Sequence, residues 1–209
     1  VVSRRATSSG TFSAPTSCTG SSDFADVVGM HVPRFTAIDV LGMTSSCDVT
    51  VPVQPLGDLR AELTWNQPNG LHLHLLHSAG GNRRQAKSWV RPYDCSFLNR
   101  NPSWDNPGTA DEPSLDRDDI TGTGPENIRI NTPSSSHTHS VGVHRYSWAA
   151  SPVPVVTTVR VYCAGQLEAT QTRGFSKKKE FWAVGVVDFA GAGAAGCFFT
   201  PDGYTLQKP

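Results

Sequence analysis

The chain has 209 residues, with 18 basic and 18 acidic side chains, 37% hydrophobic residues, 19 glycines and 15 prolines. Zero net charge leaves no basic face for nucleic acid, and no apolar run is long enough to cross a membrane. Few stretches have helical periodicity, so the composition fits an all-β extracellular type better than a helical enzyme. Residues 1–22 are rich in Ser, Thr and Gly and read as a tail unless Cys18 ties them down. Val1 opens no secretory signal, and the abrupt start reads as a mature or excised piece. Phe35–Val40 and Cys47–Val53 read as two strands joined by the turn Leu41-Gly42-Met43-Thr44. Residues 1–55 are therefore expected to be a small β module with a Ser/Thr-rich tail, closed by a Cys18–Cys47 disulfide. The alternative is that these strands complete a larger sandwich.

Gln54-Pro55-Leu56-Gly57 is a short hinge, and residues 58–209 are expected to form one β-sandwich domain. Leu59, Ala61, Leu63 and Trp65 alternate with Asp58, Arg60, Glu62 and Thr64, the pattern of a half-buried antiparallel strand. After the Asn66–Gly70 turn, Leu71, Leu73 and Leu75 alternate with His72 and His74, which are expected on the solvent face. A short strand over Tyr93–Leu98 carries Cys95. Beyond the acidic loop, Glu126–Ile130 and Ser140–Tyr146 follow, the latter with His144 outward. Val155–Cys163 and Gln166–Thr170 make a hairpin, and Phe181–Phe189 is the last long strand before Cys197-Phe198-Phe199. About eight strands with Pro/Gly turns predict an all-β, antiparallel, jelly-roll-like sandwich. The run Lys177-Lys178-Lys179 reads as a solvated turn.

The stretch between Cys95 and Ile130 sets this chain apart. Residues 99–131 form a long acidic loop: eight carboxylates lie between Asp94 and Glu126, against Arg100 and Arg117 alone. Crowded carboxylates fold compactly only when cations or arginines neutralise them. Asp116, Asp118 and Asp119 supply closely spaced carboxylates, Gly122 and Gly124 let carbonyls turn inward, and Glu126, Asn127 or Asp111 complete a candidate calcium shell. The competing reading is that these groups pair with Arg100, Arg117 or Arg129 and cap turns. The offsets of the glycines and the final glutamate are not those of an EF-hand.

The motif order Leu63-Thr64-Trp65-Asn66, LHLHLLH (71–77), Asp94-Cys95, NRNPSW (99–104), PSLDRDD (113–119), GPENI (124–128) and Val141-Gly142-Val143-His144 is distinctive. Over roughly residues 36–190 it resembles a family of β-sandwich modules in secreted and surface proteins of myxobacteria. These are distantly similar to bacterial pre-peptidase C-terminal domains and often follow a PKD-like or immunoglobulin-like module, which residues 36–55 resemble. The resemblance implies a secreted or cell-surface accessory module, calcium-binding and without catalysis of its own. It carries over to Asp116, Asp118, Asp119, Glu126 and Asn127. Where such modules carry acidic residues on the strand at 70–75, this chain has Gly70 and His72.

Two further chemistries stand beside calcium. His72-x-His74 and His137-x-His139, with His77 and His144 near in sequence, pair imidazoles at the i, i+2 spacing that shares one strand face. They raise a cupin-like zinc or copper enzyme as a rival class. Trp65, Trp89, Trp104, Trp148 and Trp182 raise a carbohydrate-binding accessory domain, with Trp89, Trp104 and Trp148 placed in loops. No G-x-S-x-G elbow or activated cysteine supports nucleophilic catalysis. Among the remaining cysteines Cys95–Cys163 is the preferred pair, with Cys163–Cys197 its competitor. The function expected is a non-catalytic structural or adhesive module. Its partners are other subunits or surface components, or copies of itself by strand addition.

Overall fold

A computed structural model describes residues 3–5, 28–55, 57–104, 110–119, 122–146, 153–189 and 197–207. The chain divides into two compact units, Val1–Gln54 and Pro55–Pro209. The break falls in the Gln54–Gly57 hinge.

In the first unit β1 (Ser3–Arg5) runs parallel to β3 (Arg34–Ile38), which pairs antiparallel with β4 (Thr44–Asp48). Met43 and Leu41 donate backbone N–H groups to Asp39 Oδ1, both at 2.8 Å, which holds the hairpin turn. β2 (Gly29–His31) pairs with β5 (Val51–Val53) instead. The expected single strand Cys47–Val53 is therefore split between two sheets. Cys47 is disulfide-bonded, while its expected partner Cys18 lies outside the described residues.

The second unit is all-β. One sheet, I, is built from β6 (Leu59–Trp65), β9 (Pro113–Arg117), β10 (Glu126–Ile130), β12 (Val155–Cys163) and β13 (Gln166–Phe175), in the spatial order β13-β12-β6-β10-β9. Sheet II contains β7 (Leu71–His77), β8 (Asp94–Cys95), β11 (His139–Arg145), β14 (Glu180–Phe189) and β15 (Cys197–Gln207), in the order β15-β14-β11-β7-β8. Every pairing within the two sheets is antiparallel. Leu59, Ala61, Leu63, Ile128, Ile130, Val159 and Val161 of sheet I share one apolar core with Leu71, Leu73, Leu75, Val141, Val143, Val184 and Val187 of sheet II. Period-two alternation drives this arrangement, since it puts each apolar set on one side of its pleat.

Several expectations change here. His72, His74 and His144 are not on a solvent face: they are 3%, 0% and 3% exposed. Residues 78–93, with 3-10 turns at Ser78–Gly80 and Ala86–Ser88, carry Trp89 onto the outer face of sheet II. There Trp89 packs with Leu76, Phe181 and Ala183, and its Nε1–H donates to Arg83 O at 2.7 Å. An alternating pattern reports one buried face, and it cannot report a cover supplied from elsewhere in the chain. Gly142 is needed under that cover, because a Cβ there would stand 2.5 Å from Phe181 and 2.8 Å from Trp89. The strand expected over Tyr93–Leu98 is reduced to Asp94–Cys95, and the acidic loop contains the edge strand β9. The last strand runs on to Gln207.

The disulfide expectation is corrected as well. Cys163 is bonded to Cys197, not to Cys95, which is a free and buried thiol. Cys163 ends β12 in sheet I and Cys197 opens β15 in sheet II, so the bond ties the two sheets. Cys95 sits within β8, paired opposite Leu75, and its Sγ donates to Arg100 O at 3.5 Å. Burial first, and the Asp94 charge second, push its thiol pKa upward and make it inert.

Candidate metal centre

The acidic segment meets β7 of sheet II through Glu126. Leu73 N–H donates to Glu126 Oε2 at 2.6 Å, so the carboxylate that opens β10 caps the backbone of β7. Next to it, His72 Nδ1 lies 3.3 Å from Glu126 Oε1 and 3.5 Å from Asp118 Oδ1. The ligand atoms of these three residues lie within 4.8 Å of one another. Glu126 is fully buried, and the side chain of Asp118 is 19% exposed. His72 Nδ1, Asp118 Oδ1 and Glu126 Oε1 are all buried without a hydrogen-bond partner. Three buried polar atoms that face one another without a hydrogen bond are costly unless something bridges them.

The local structure explains the convergence. Trp65 donates its backbone N–H to Thr123 O at 3.0 Å and its indole N–H to Gly122 O at 2.8 Å, and Asn69 N–H donates to Gly122 O at 3.1 Å. These bonds anchor the approach to β10 against the β6–β7 turn. Gly124 has φ +87°, and a Cβ there would stand 2.9 Å from both Leu63 O and the Trp65 ring. On the other side, the His72 ring stacks on Phe97 at 4.1 Å and meets the edge of Tyr146 at 5.7 Å. The imidazole is thereby fixed with Nδ1 towards the carboxylates.

Burial raises Glu126 to about 7, against the lowering influence of the His72 ring and the Leu73 N–H; the Asp118 charge adds to the rise. Bonds of about 2.05 Å around a tetrahedral Zn2+ place neighbouring donors about 3.4 Å apart, close to the spacings here. An octahedral shell with bonds of about 2.4 Å, as for Ca2+, gives a similar edge, so spacing does not choose the ion. Donor type does: imidazole nitrogen suits zinc and its neighbours, whereas calcium takes six to eight oxygens.

Of the six residues expected to hold a cation, only Asp118 and Glu126 meet. Asp116 is ion-paired with Arg129 at 2.9 Å. Asp119 accepts from Gly122 N at 2.7 Å and Gly124 N at 3.0 Å, so it caps the turn. Asn127 is buried in β10 on the pleat face opposite Glu126, and Asp111 is half-buried in the turn before β9. The salt-bridge and turn-capping reading thus describes Asp116 and Asp119. His72 belongs to the site although it was grouped with the other histidines. Asp118 and Glu126 lie far from His72 in sequence, so no local spacing signals the contact.

The two His-x-His pairs do not assemble into one centre. His74 Nδ1 contacts the Asp94 carboxylate at 2.8 Å, while His137 and His139 gather with His77 at the other end of β7. Burial, and then the charges of His77 and His137, pull His139 down to about 3. Trp65 and Trp182 are core residues, Trp89 is 1% exposed, and Trp104 packs against the core with its backbone N–H on Glu112 Oε2 at 2.7 Å. Trp65, Trp89 and Trp182 present no open stacking face, Trp104 is half-buried, and Trp148 lies outside the described residues. No helix among the described residues is long and apolar enough to cross a membrane. No family model matches the chain, and neither a curated protein nor a solved structure matches it.

Proposed function

We propose that this chain is a non-catalytic, extracellular structural or adhesive module whose sandwich is stapled by a divalent metal at His72, Asp118 and Glu126. The observation that carries the metal is the set of three buried ligand atoms that lie within 4.8 Å of one another and make no hydrogen bond. The nitrogen donor favours a zinc-class ion over the calcium expected from the carboxylates alone. In this reading the ion joins β7 of sheet II to the start of β10 and the end of β9 in sheet I, and its work is mechanical. The disulfide between the sheets supports an oxidising, secreted or surface setting. Partners in this reading are other subunits or surface components.

The test is elemental analysis of the purified protein with melting curves in zinc, in calcium and in EDTA. Zinc at 100 times its Kd stabilises by about 2.7 kcal/mol. For a unit of this size that raises Tm by roughly 5–11 °C. His72→Ala is expected to abolish the shift. A shift with calcium and none with zinc restores the calcium reading, and no shift with either ion overturns the metal staple.

A further inference from the structure

His77 closes β7 and His139 opens β11, and the two are directly opposed in the antiparallel register. Directly opposed residues hold their Cβ atoms about 5 Å apart on one face. His137 lies two residues before His139, between the turn at 135–136 and the start of β11. The rings confirm the placement: the His77 centroid is 4.3 Å from that of His137 and 5.9 Å from that of His139. An ion with about 2.05 Å bonds to three imidazoles in tetrahedral array sets ring centroids about 5.2 Å apart. The observed distances bracket that value.

The histidines are walled by aromatic rings. Trp104 lies over both buried rings, 5.0 Å from His77 and 5.6 Å from His139. Tyr93 stacks on the His77 ring at 6.0 Å, and Phe189 meets His139 edge-on at 5.9 Å. His139 is 2% exposed, and its Nδ1 is buried with no hydrogen-bond partner, which a core histidine normally avoids. His137 is half-exposed and follows the turn at 135–136, so it gives an ion a path inward. As the rings stand, their nitrogens do not converge within 4.8 Å as those of the His72 group do. Closing them requires ring rotation. Among the contacts exchanged are Ala79 N–H to His77 Nδ1 at 3.3 Å and Ser78 Oγ with His137 Nδ1 at 3.4 Å, both long.

We propose that His77, His137 and His139 form a second, all-nitrogen metal site for a borderline divalent ion of the zinc–copper group, with a fourth position left to water. The five-residue spacing of His72 and His77 along β7 puts it about 17 Å from the His72 centre. It is independent of that centre in donors and in position.

The experiment titrates the full chain with Zn2+ by calorimetry in three forms. The wild type is expected to bind two equivalents, His72→Ala one, and His72→Ala/His137→Ala none within the range of the first two. His137 is the probe because it is half-exposed and its removal leaves the core packing alone. In the His72→Ala background, His137→Ala is expected to weaken zinc by about 100-fold or more. Imidazole 15N shifts of His77, His137 and His139 should move together on adding zinc. One equivalent in the wild type that survives His72→Ala and vanishes with His137→Ala overturns the His72 staple and leaves this site standing. Zinc binding in the His72→Ala background that His137→Ala does not weaken, or no binding there at all, overturns this proposal.

Discussion

Replacing both Cys163 and Cys197 by Ala tests the link between the sheets most directly. The bond closes a loop with a sequence separation of 34. On the chain-entropy relation, cross-linking a loop of that length raises the free energy of the unfolded chain by about 3.8 kcal/mol at 25 °C. In a unit of this size, that corresponds to a fall in Tm of roughly 8–15 °C. Because either single substitution already breaks the bond, Cys163→Ala and Cys197→Ala should each cost nearly as much as the pair, a clear departure from additivity. Cys95→Ala is the control. It removes a buried thiol with one weak bond to Arg100 O and should cost about 1 kcal/mol. The alternative pairing of Cys95 with Cys163 would double the loop and change the entropy by only about 0.6 kcal/mol. Identity of the variant therefore decides the matter, and magnitude does not. Thermal melts of the four variants and the wild type, with non-reducing peptide mapping, give the readout. If Cys95→Ala produces the large loss, or if the double variant melts with the wild type, the reasoning fails.

Substitutions at three further carboxylates have expected outcomes. Asp119→Ala should destabilise by about 1–2 kcal/mol equally with metal and with EDTA, because it strips the acceptor from the Gly122 and Gly124 N–H groups; Asp118→Asn should instead lose the metal-dependent part of Tm, and parallel melts separate the two. Hydrogen bonds from Arg84 and then Arg83 hold the Asp202 carboxyl below its ordinary range, against an opposing push from burial. A depressed acid contributes stability that is full above its unfolded pKa and is lost as pH falls through about 3.8 and below. Asp202→Asn should cost on the order of 1 kcal/mol at pH 7, with the Arg84 end in solvent. It should also flatten the acid limb of a Tm–pH profile, and an unchanged limb would show that the pair does not contribute.

The sandwich was legible because its signal is local. Leu59, Ala61, Leu63 and Trp65 face the core as their alternation implies. The errors share a cause in long-range contact. No periodicity along 71–77 announces that Trp89 will cover His74, and no spacing announces that Cys197 rather than Cys95 will reach Cys163. The acidic cluster was visible as charge, but its charges separate into different tasks. Asp116 pairs with Arg129, Asp119 caps a turn, and Asp118 meets Glu126 and His72. Carboxylates and histidines, read as separate hypotheses, become one centre only when β7 and β10 are laid side by side.

The bond between the end of β12 and the start of β15 also sets how the module responds to tension. If the chain is pulled from its C-terminal side, β15 can peel from β14 only as far as Cys197, where the load passes straight to Cys163. The hairpin and strand between those cysteines, β13 and β14, then lie outside the line of force. Their sequence separation of 34 withholds about 115 Å of contour length from any extension. In a reducing medium that length is released as hidden slack, so the same domain acts as a short tether when oxidised and a long one when reduced.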